Sequence, residues 1–574
     1  MRVRLMGWLR PAASQSPSYS KLTTRYSKLM NYELLTTNHE LRTTNYEPQT
    51  TNKMMKKILK GLGLLILAVI LGAGLWVLWN LHDRHRGYEV DLHVKGGDPV
   101  TVKAGFAAKA ITPEVVDTWE DVDHNAKYEP EKGDVYHDNN HNGKFDAYWI
   151  AGFDNRRAAN GVHDDVWARA MVLDDGTTRL AVVVLDAIGF GHDDIVEARG
   201  MIAAADSVDY VIIESTHDHE SFDLLGLWGE SEYRNGIDPQ MRQYVKEQIV
   251  AAVHEAVTAL RPAYFILAED PRGAEELLMD TREPIVLDAG LRMMQAVDAE
   301  NGTTLGTILS WGNHAETLWS DNLLITSDFP HYWRKYVEEG VYDGDTLVRR
   351  GLGGTALFLP GAVGGLMTTR GSQPVKDPFR DTVYVEPTFD KARAEGQKLA
   401  MLALEALSRG DTVRQTSLSL RAKTIRLPVD NKMFRLGAVL GVLDFGMAGW
   451  FKKRSEVAAF TLGPATFLAV PGEIYPEIVN GGVEAPEGRD FDITPVETPP
   501  LRELMPGRYK FVMGLANDEI GYIIPKSQWD EEAPYTYGRK KAPYGEENSL
   551  GPETAPLLYK ELSGILEELE KNER

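Results

Sequence analysis

Nineteen consecutive residues, Gly61 to Trp79 (GLGLLILAVILGAGLWVLW), carry no charge, and this run decides where everything after it must sit. At ~1.5 Å rise per residue it covers about 29 Å as a helix, close to the thickness of a bilayer's hydrocarbon core. Lys53, Lys56, Lys57 and Lys60 precede it, and Arg84 and Arg86 follow. That bias keeps the N-terminus cytoplasmic and sends the body across. The expectation is a single-pass cell-membrane anchor over residues 54–82 with the remainder extracytoplasmic. A cleaved signal peptide, which would release a secreted protein, and a buried core helix are the alternatives. Ahead of the run, NYELLTTNHELRTTNYEPQTTN is a degenerate polar repeat without helical or strand period, so residues 1–53 read as a disordered low-complexity tail. Met54 and Met55 close it, and we expect an upstream mis-assigned start.

The 574 residues carry 62 Lys plus Arg against 84 Asp plus Glu, a formal charge of −22. A nucleic-acid binder needs a basic face, so that class is excluded. With 43% hydrophobic and 25% charged residues the bulk is a folded globular protein. Cysteine is absent, which removes disulfides, thiolate nucleophiles and zinc–thiolate sites; a metal must be held by His, carboxylate, Tyr or backbone.

No Pro/Ser linker divides the chain after residue 103, and the pattern mixes strands and helices, so one large mixed α/β domain is expected over 104–560, with 83–103 as linker and first strand and 561–574 as the end of a closing helix. Val166 to Asp186 reads as two apolar strands around an Asp-Asp-Gly turn, and Val208 to Ser215 as a fully buried strand. Asp238 to Leu260, Thr388 to Leu407 and Ala555 to Lys571 have helical spacing. Further strands are expected at Thr304–Trp311, Thr355–Leu359, Thr466–Val470 and Tyr509–Leu515. Polar residues follow several of these strands, where α/β folds tend to place ligands.

Two acidic loops lie within 117–149. Asp138, Asn140, Asn142 and Asp146 occupy positions 1, 3, 5 and 9 of a calcium-loop pattern, with Gly143 at position 6. Asp121, Asp123, Asn125 and Glu129 repeat it, with Ala126 in place of the glycine. Lys132 and Trp149 stand where an EF-hand has its twelfth-position Glu, so a full EF-hand is not expected. The loops read either as structural calcium cages or as solvated Asx turns.

The buried strand runs into Thr216-His217-Asp218-His219-Glu220. In an extended chain residues two apart face the same way, so His217 and His219 can address one centre, as metal ligands or as a hydrogen-bonded pair. Other strands end in Trp311-Gly312-Asn313-His314, Val470-Pro471-Gly472-Glu473 and Asn517 through Tyr522.

Together these strand ends resemble the neutral/alkaline (non-lysosomal) ceramidase family over roughly Ala104 to Thr554. The resemblance takes in Ala104 to Pro113, Gly161-Val162-His163, Ala168-Arg169-Ala170, Thr216 to His219, Arg282-Glu283-Pro284, His314, Ser327-Asp328, Val470 to Glu473, Asn517 to Tyr522, Tyr544 and Gly551-Pro552, in family order. It implies a zinc-dependent amidohydrolase of the catalytic α/β domain. His217, His314, Glu473 and Tyr522 would hold zinc; His219, Arg282 and Tyr544 would handle the scissile carbonyl and the substrate's polar groups. A water activated by zinc has a pKa of about 7, His219 would move its proton, and Arg282 would hold the oxyanion.

The chain departs from the family at two places beside the metal. Glu220 to Asp223, with Leu224 and Leu225, replaces the family's Ser-Gly-Pro and glycines. Gly364 to Met367 replaces the loop that supplies a serine, leaving Thr368 as the nearest hydroxyl. The matched region also ends without the family's C-terminal immunoglobulin-like domain, and the acidic loops look like an insertion. Met433 to Trp450 is mostly apolar; it reads as a buried loop and helix, with an interfacial lip admitting a lipid chain as the alternative. The expected activity is hydrolysis of a linear amide, such as that of an N-acyl lipid. A zinc esterase on the same frame and a catalytically inactive, calcium-stabilised surface-binding protein are the rival readings.

Overall fold

The computed structural model describes residues 49–365, 367–370 and 373–573. The tail up to residue 48, and Leu366 of the loop that replaces the family serine, lie outside them. The contacts divide the chain between Trp79 and Asn80. The first unit contains the apolar helix Gln49–Asn80 up to Trp79, whose stretch from Lys53 is long and apolar enough to cross a membrane or to serve as a signal sequence.

The second unit, from Asn80 on, is a four-layer α/β sandwich. Its larger sheet has nine strands. Eight run in the order Thr355–Pro360, Thr304–Trp311, Leu291–Asp298, Arg261–Asp270, Lys103–Ala110, Trp167–Asp174, Arg179–Leu185 and Tyr210–Ser215, and Asp411–Val413 joins Arg261–Asp270 off that path. The smaller sheet has five, ordered Asp91–Val94, Leu418–Pro428, Lys452–Leu462, Ala465–Ala469 and Tyr509–Met513. Alternation puts one face of each sheet into a shared core. Phe106, Met171, Ile212 and Met294 from the large sheet meet Leu420, Phe460, Phe467 and Phe511 from the small one. The last three stack ring on ring, with centroids 4.4 and 4.3 Å apart.

The outer faces are closed by helices, because strands this apolar on both sides need a second cover. Pro239–Thr258 covers the half of the large sheet that carries the hairpin, and Phe329–Glu339 with Phe389–Leu407 covers the other half. Thr554–Glu573 buries Leu558, Leu562, Ile565, Leu566 and Leu569, at 3–4 spacing, against the small sheet. Asp238 caps its helix by accepting from the amides of Gln240 and Met241, and Thr388 caps the next from Lys391, as Asp and Thr ahead of an apolar period are expected to do.

The expected strands and helices are all present within a residue or two. The closing helix crosses residue 560 without a break, and Asp91–Val94 is an edge strand of the small sheet. Within the two large sheets, parallel neighbours occur at three places: Arg179–Leu185 with Tyr210–Ser215, Thr304–Trp311 with Thr355–Pro360, and Ala465–Ala469 with Tyr509–Met513. Parallel pairing gathers strand C-termini at one rim, and that rim carries the site.

Candidate metal centre

Each of four strand ends delivers one donor to the rim. His217 follows Tyr210–Ser215, and His314 follows Thr304–Trp311. Glu473 and Tyr522 lie directly opposite each other in a two-residue parallel ladder, Glu473–Ile474 beside Tyr522–Ile523, just beyond the ends of the small sheet's parallel strands. All four side chains are buried.

Tautomers are set by the backbone. Nδ1 of His217 donates to the Ile188 carbonyl at 2.8 Å, and Nδ1 of His314 to the Met367 carbonyl at 2.8 Å. A carbonyl only accepts, so each Nδ1 carries the proton and each Nε2 presents a lone pair. Those Nε2 atoms stand 3.4 and 3.1 Å from Oε2 of Glu473. Donors 2.0–2.2 Å from a tetrahedral zinc stand about 3.4 Å from one another, so the spacing is that of ligands around one ion. Nε2 of His217 and both ring nitrogens of His219 have no hydrogen-bond partner although buried, a costly state unless a ligand satisfies them. One ligand atom from each of His217, His219 and His314 lies within 4.8 Å of the others.

Electrostatics agree with a cation site. Burial opposes charge on His217, but the Glu473 carboxylate outweighs it and holds the imidazole above its ordinary value, so that position favours a positive charge: a proton on Nε2, or a metal cation that takes the proton's place on the lone pair. Against the same burial, His217 and His314 hold Glu473 below the usual carboxylate range. Burial and then the two neighbouring imidazoles press His219 far down, so it is neutral. Burial and Glu473 push the phenol of Tyr522 well up; only a strong positive charge makes a phenolate there.

His217 and His219 do not converge by the extended-chain argument. His217 has φ +58°, so the chain bends there. Convergence comes instead from tethers: Asp218 donates its amide to Ala187, and His219 to Ala315. The rings end 4.8 Å apart at 90°.

A cleft lined mainly by apolar side chains rises from this centre. Ile188, Leu224, Leu225, Leu227, Trp228, Phe434, Leu443, Phe445 and Ile520 line it above His217, His219, Glu473, Tyr522 and Tyr544. Met433–Trp450 is therefore a lip rather than a fully buried segment: the helix Lys432–Leu440 buries only Gly437 and Ala438. Tyr544 packs on Tyr522 at 5.7 Å between centroids. Arg282 is not among the residues that line the cleft and stands behind it. It donates to Glu546 at 2.8 Å and covers the ring of Tyr475 at 4.6 Å, and Tyr475 in turn packs on Tyr522. Thr368 is buried in a bridge to Met279, and its hydroxyl accepts from the Arg370 amide at 3.2 Å. Glu316, 3.6 Å from His219 Nδ1, and Glu519 on the cleft wall were not singled out from sequence.

Both acidic loops flank one hairpin, Thr118–Glu120 with Val135–His137. Asp121 accepts from the amides of Asn125 and Ala126, and Asp138 from those of Asn142 and Gly143. Asn140 and Asn142 both reach Asp146, and Asn125 reaches Asp123 and Glu129. Carboxylate oxygens of Asp121 and Asp123 lie within 4.8 Å of a third, from Asp134, which the loop pattern does not include. Phe145 packs between Tyr128 and Tyr136.

Among solved structures, the neutral ceramidase from Pseudomonas aeruginosa superposes with a TM-score of 0.57 at 14% identity, over 83% of this chain and 75% of that one. A ceramidase complexed with C2 gives 0.58 at 15%, over 82% and 76%. The fold is that of the neutral ceramidases. No protein-family model and no curated protein matches the chain. The ceramidase fold here carries His217, His314, Glu473 and Tyr522 on a single rim, with the Met367 loop beside them contributing a backbone carbonyl to His314.

Proposed function

We propose that this protein is a membrane-anchored, extracytoplasmic, zinc-dependent amidohydrolase that cleaves the linear amide of an N-acyl lipid of the ceramide type. The observation that carries the reading is the convergence of two lone-pair-bearing imidazoles and Glu473 at tetrahedral ligand spacing, at the foot of an apolar cleft. His217, His314, Glu473 and Tyr522 would hold zinc. When bound, such an ion brings the pKa of a water toward 7 and polarises a carbonyl.

The remaining chemistry belongs to the chain. Neutral His219, with both nitrogens free of hydrogen bonds, takes the proton of the attacking water and returns it to the leaving nitrogen. Tyr544 reaches the scissile carbonyl from the cleft wall. Arg282, neutralised by Glu546, acts through the Tyr475–Tyr522 stack as a positioning residue and not as the oxyanion partner. The apolar walls take the acyl chain and exclude water. The acidic loops are structural calcium sites.

Metal content decides among the readings. Stoichiometric zinc, and chelator-sensitive turnover of N-acyl but not O-acyl substrates, is the expected result. O-acyl preference would make it an esterase; calcium without zinc would leave a binding protein. His217→Ala and Glu473→Ala should each lose zinc and stay folded; retention by both would sink the ligand set.

A further inference from the structure

Resting on the reading of a membrane-anchored enzyme, we infer that the lip, from the helix Lys432–Leu440 to Trp450, is a bilayer-docking surface. The chain's own emergence from the apolar run holds it at the lipid headgroups, so an acyl chain passes from bilayer to cleft without crossing water.

The argument begins with chain continuity. Trp79 closes the apolar run Gly61 to Trp79 and Asn80 is the next residue, with consecutive Cα atoms ~3.8 Å apart. The side-chain amide of Asn80 donates to the Val439 carbonyl at 3.1 Å. Arg84 then donates to Asp444 at 2.7 Å, and the other oxygen of Asp444 accepts from Arg242. Gly441 makes room: it has φ +74°, and a Cβ there would stand 2.7 Å from the Asn80 side chain. A run that spans a bilayer ends at headgroup level, so the residues tied to its end lie at that level too.

The lip's surface chemistry suits that depth. Leu436, Leu440 and Trp450 are 39, 48 and 78% exposed, an arrangement that gains nothing in water. Trp is the residue favoured at the membrane interface. Lys432 and Lys452, both exposed, stand beside them with charge suited to lipid phosphates. The same segment turns Phe434, Leu443 and Phe445 into the cleft that holds His217 and Tyr522. One short element therefore offers an apolar surface to the bilayer and an apolar wall to the substrate.

The chain contains no cysteine, so Leu440→Cys and Trp450→Cys each introduce a unique thiol for a nitroxide label. Leu347→Cys, on the exposed hairpin Gly340–Asp343 with Thr346–Arg350, is the reference. The full chain is placed in phosphatidylcholine vesicles, and label relaxation is compared with dissolved oxygen and with a water-soluble nickel chelate. Oxygen should dominate at positions 440 and 450 and the chelate at 347. Labels at 440 and 450 that behave like 347 overturn the inference. So does protection from both reagents alike in vesicles and in detergent, the signature of a second copy. A chain that does not float with vesicles overturns the anchor and the inference together. No catalysis enters this readout, so it fails or succeeds apart from the zinc reading. As a functional companion, Leu440→Glu combined with Trp450→Glu should lower turnover of a vesicle-embedded N-acyl lipid at least tenfold and leave that of a water-soluble short-chain N-acyl amide unchanged. Equal losses on both substrates would contradict docking.

Discussion

At the scale of single residues, the centre depends on groups that touch no substrate. Gly152 has φ +104°, and a Cβ there would meet the His219 ring at 2.6 Å. Gly152→Ala should therefore move His219 while leaving His217, His314, Glu473 and Tyr522 in place. The expected result is full zinc content with kcat lower on the order of 10²-fold, the usual effect of misplacing a reacting group by about 1 Å; loss of zinc would mean that His219 is itself a ligand. Glu395 illustrates a second kind of support. It accepts from Asn313, Thr369 and Thr317, close to His314. Burial, and then nearby Asp328, push its carboxyl up to about 8 from 4.5. The folded state thus keeps a proton that the unfolded state has already released, and Glu395 lowers stability as pH rises from 4.5 to 8. Glu395→Gln should show a gain over the parent that grows with pH across that window, by up to about 1.4 kcal/mol per unit. Denaturation of parent and variant at pH 5 and pH 8 checks it; a constant difference would place an ionised carboxylate there throughout. Neither role is legible in sequence, because a glycine's close neighbour and a buried glutamate's partners lie far along the chain.

At the scale of elements, the strand ends were legible for a physical reason. A strand buried on both faces reads as a continuous apolar run, and its first polar residues mark the rim. His217, His314, Glu473 and Tyr522 all stand within about nine residues of such an end, which marks them as rim residues; their choice as a zinc set rests on the family resemblance. The bend at His217 could not, since φ +58° in a residue other than glycine leaves no compositional trace. Nor could the lip: a segment with cleft on one side and exposed leucines on the other has the same apolar average as a buried helix. The Met367 loop is the instructive case. Its missing serine reads as lost chemistry, yet its backbone carbonyl fixes the tautomer of His314, a service any residue can perform. Met367 itself is fully buried. Met367→Ala should cost about 2–5 kcal/mol through the cavity it leaves, with zinc retained. Thr368→Ala should leave kcat/KM within about twofold, since its hydroxyl already serves the Arg370 amide; a larger loss would restore Thr368 to the mechanism.

At the scale of the molecule, the proposed zinc and calcium sites should act on different quantities. The proposed zinc ligands follow strands of both sheets: His217 and His314 follow strands of the large sheet, and Glu473 and Tyr522 pair in a short ladder beyond strands of the small one. The acidic loops belong to one hairpin, and their route to the centre is indirect: Ala151 donates its amide to Ser221, and Gly152 lies against His219. Zinc removal should therefore abolish turnover. Calcium removal should mainly shift stability. A ligand at 100 times its Kd contributes about 2.7 kcal/mol, and in a body this large each kcal/mol moves Tm by no more than about 2–4 °C. Selective calcium chelation should lower Tm by less than about 10 °C, with the fluorescence of the Tyr128, Tyr136 and Phe145 cluster changing first. Turnover below that temperature should fall only as far as His219 relaxes. If calcium removal instead stopped turnover at once with Tm unchanged, the loops would be part of the active centre, and the path through Gly152 would be the place to look for the coupling.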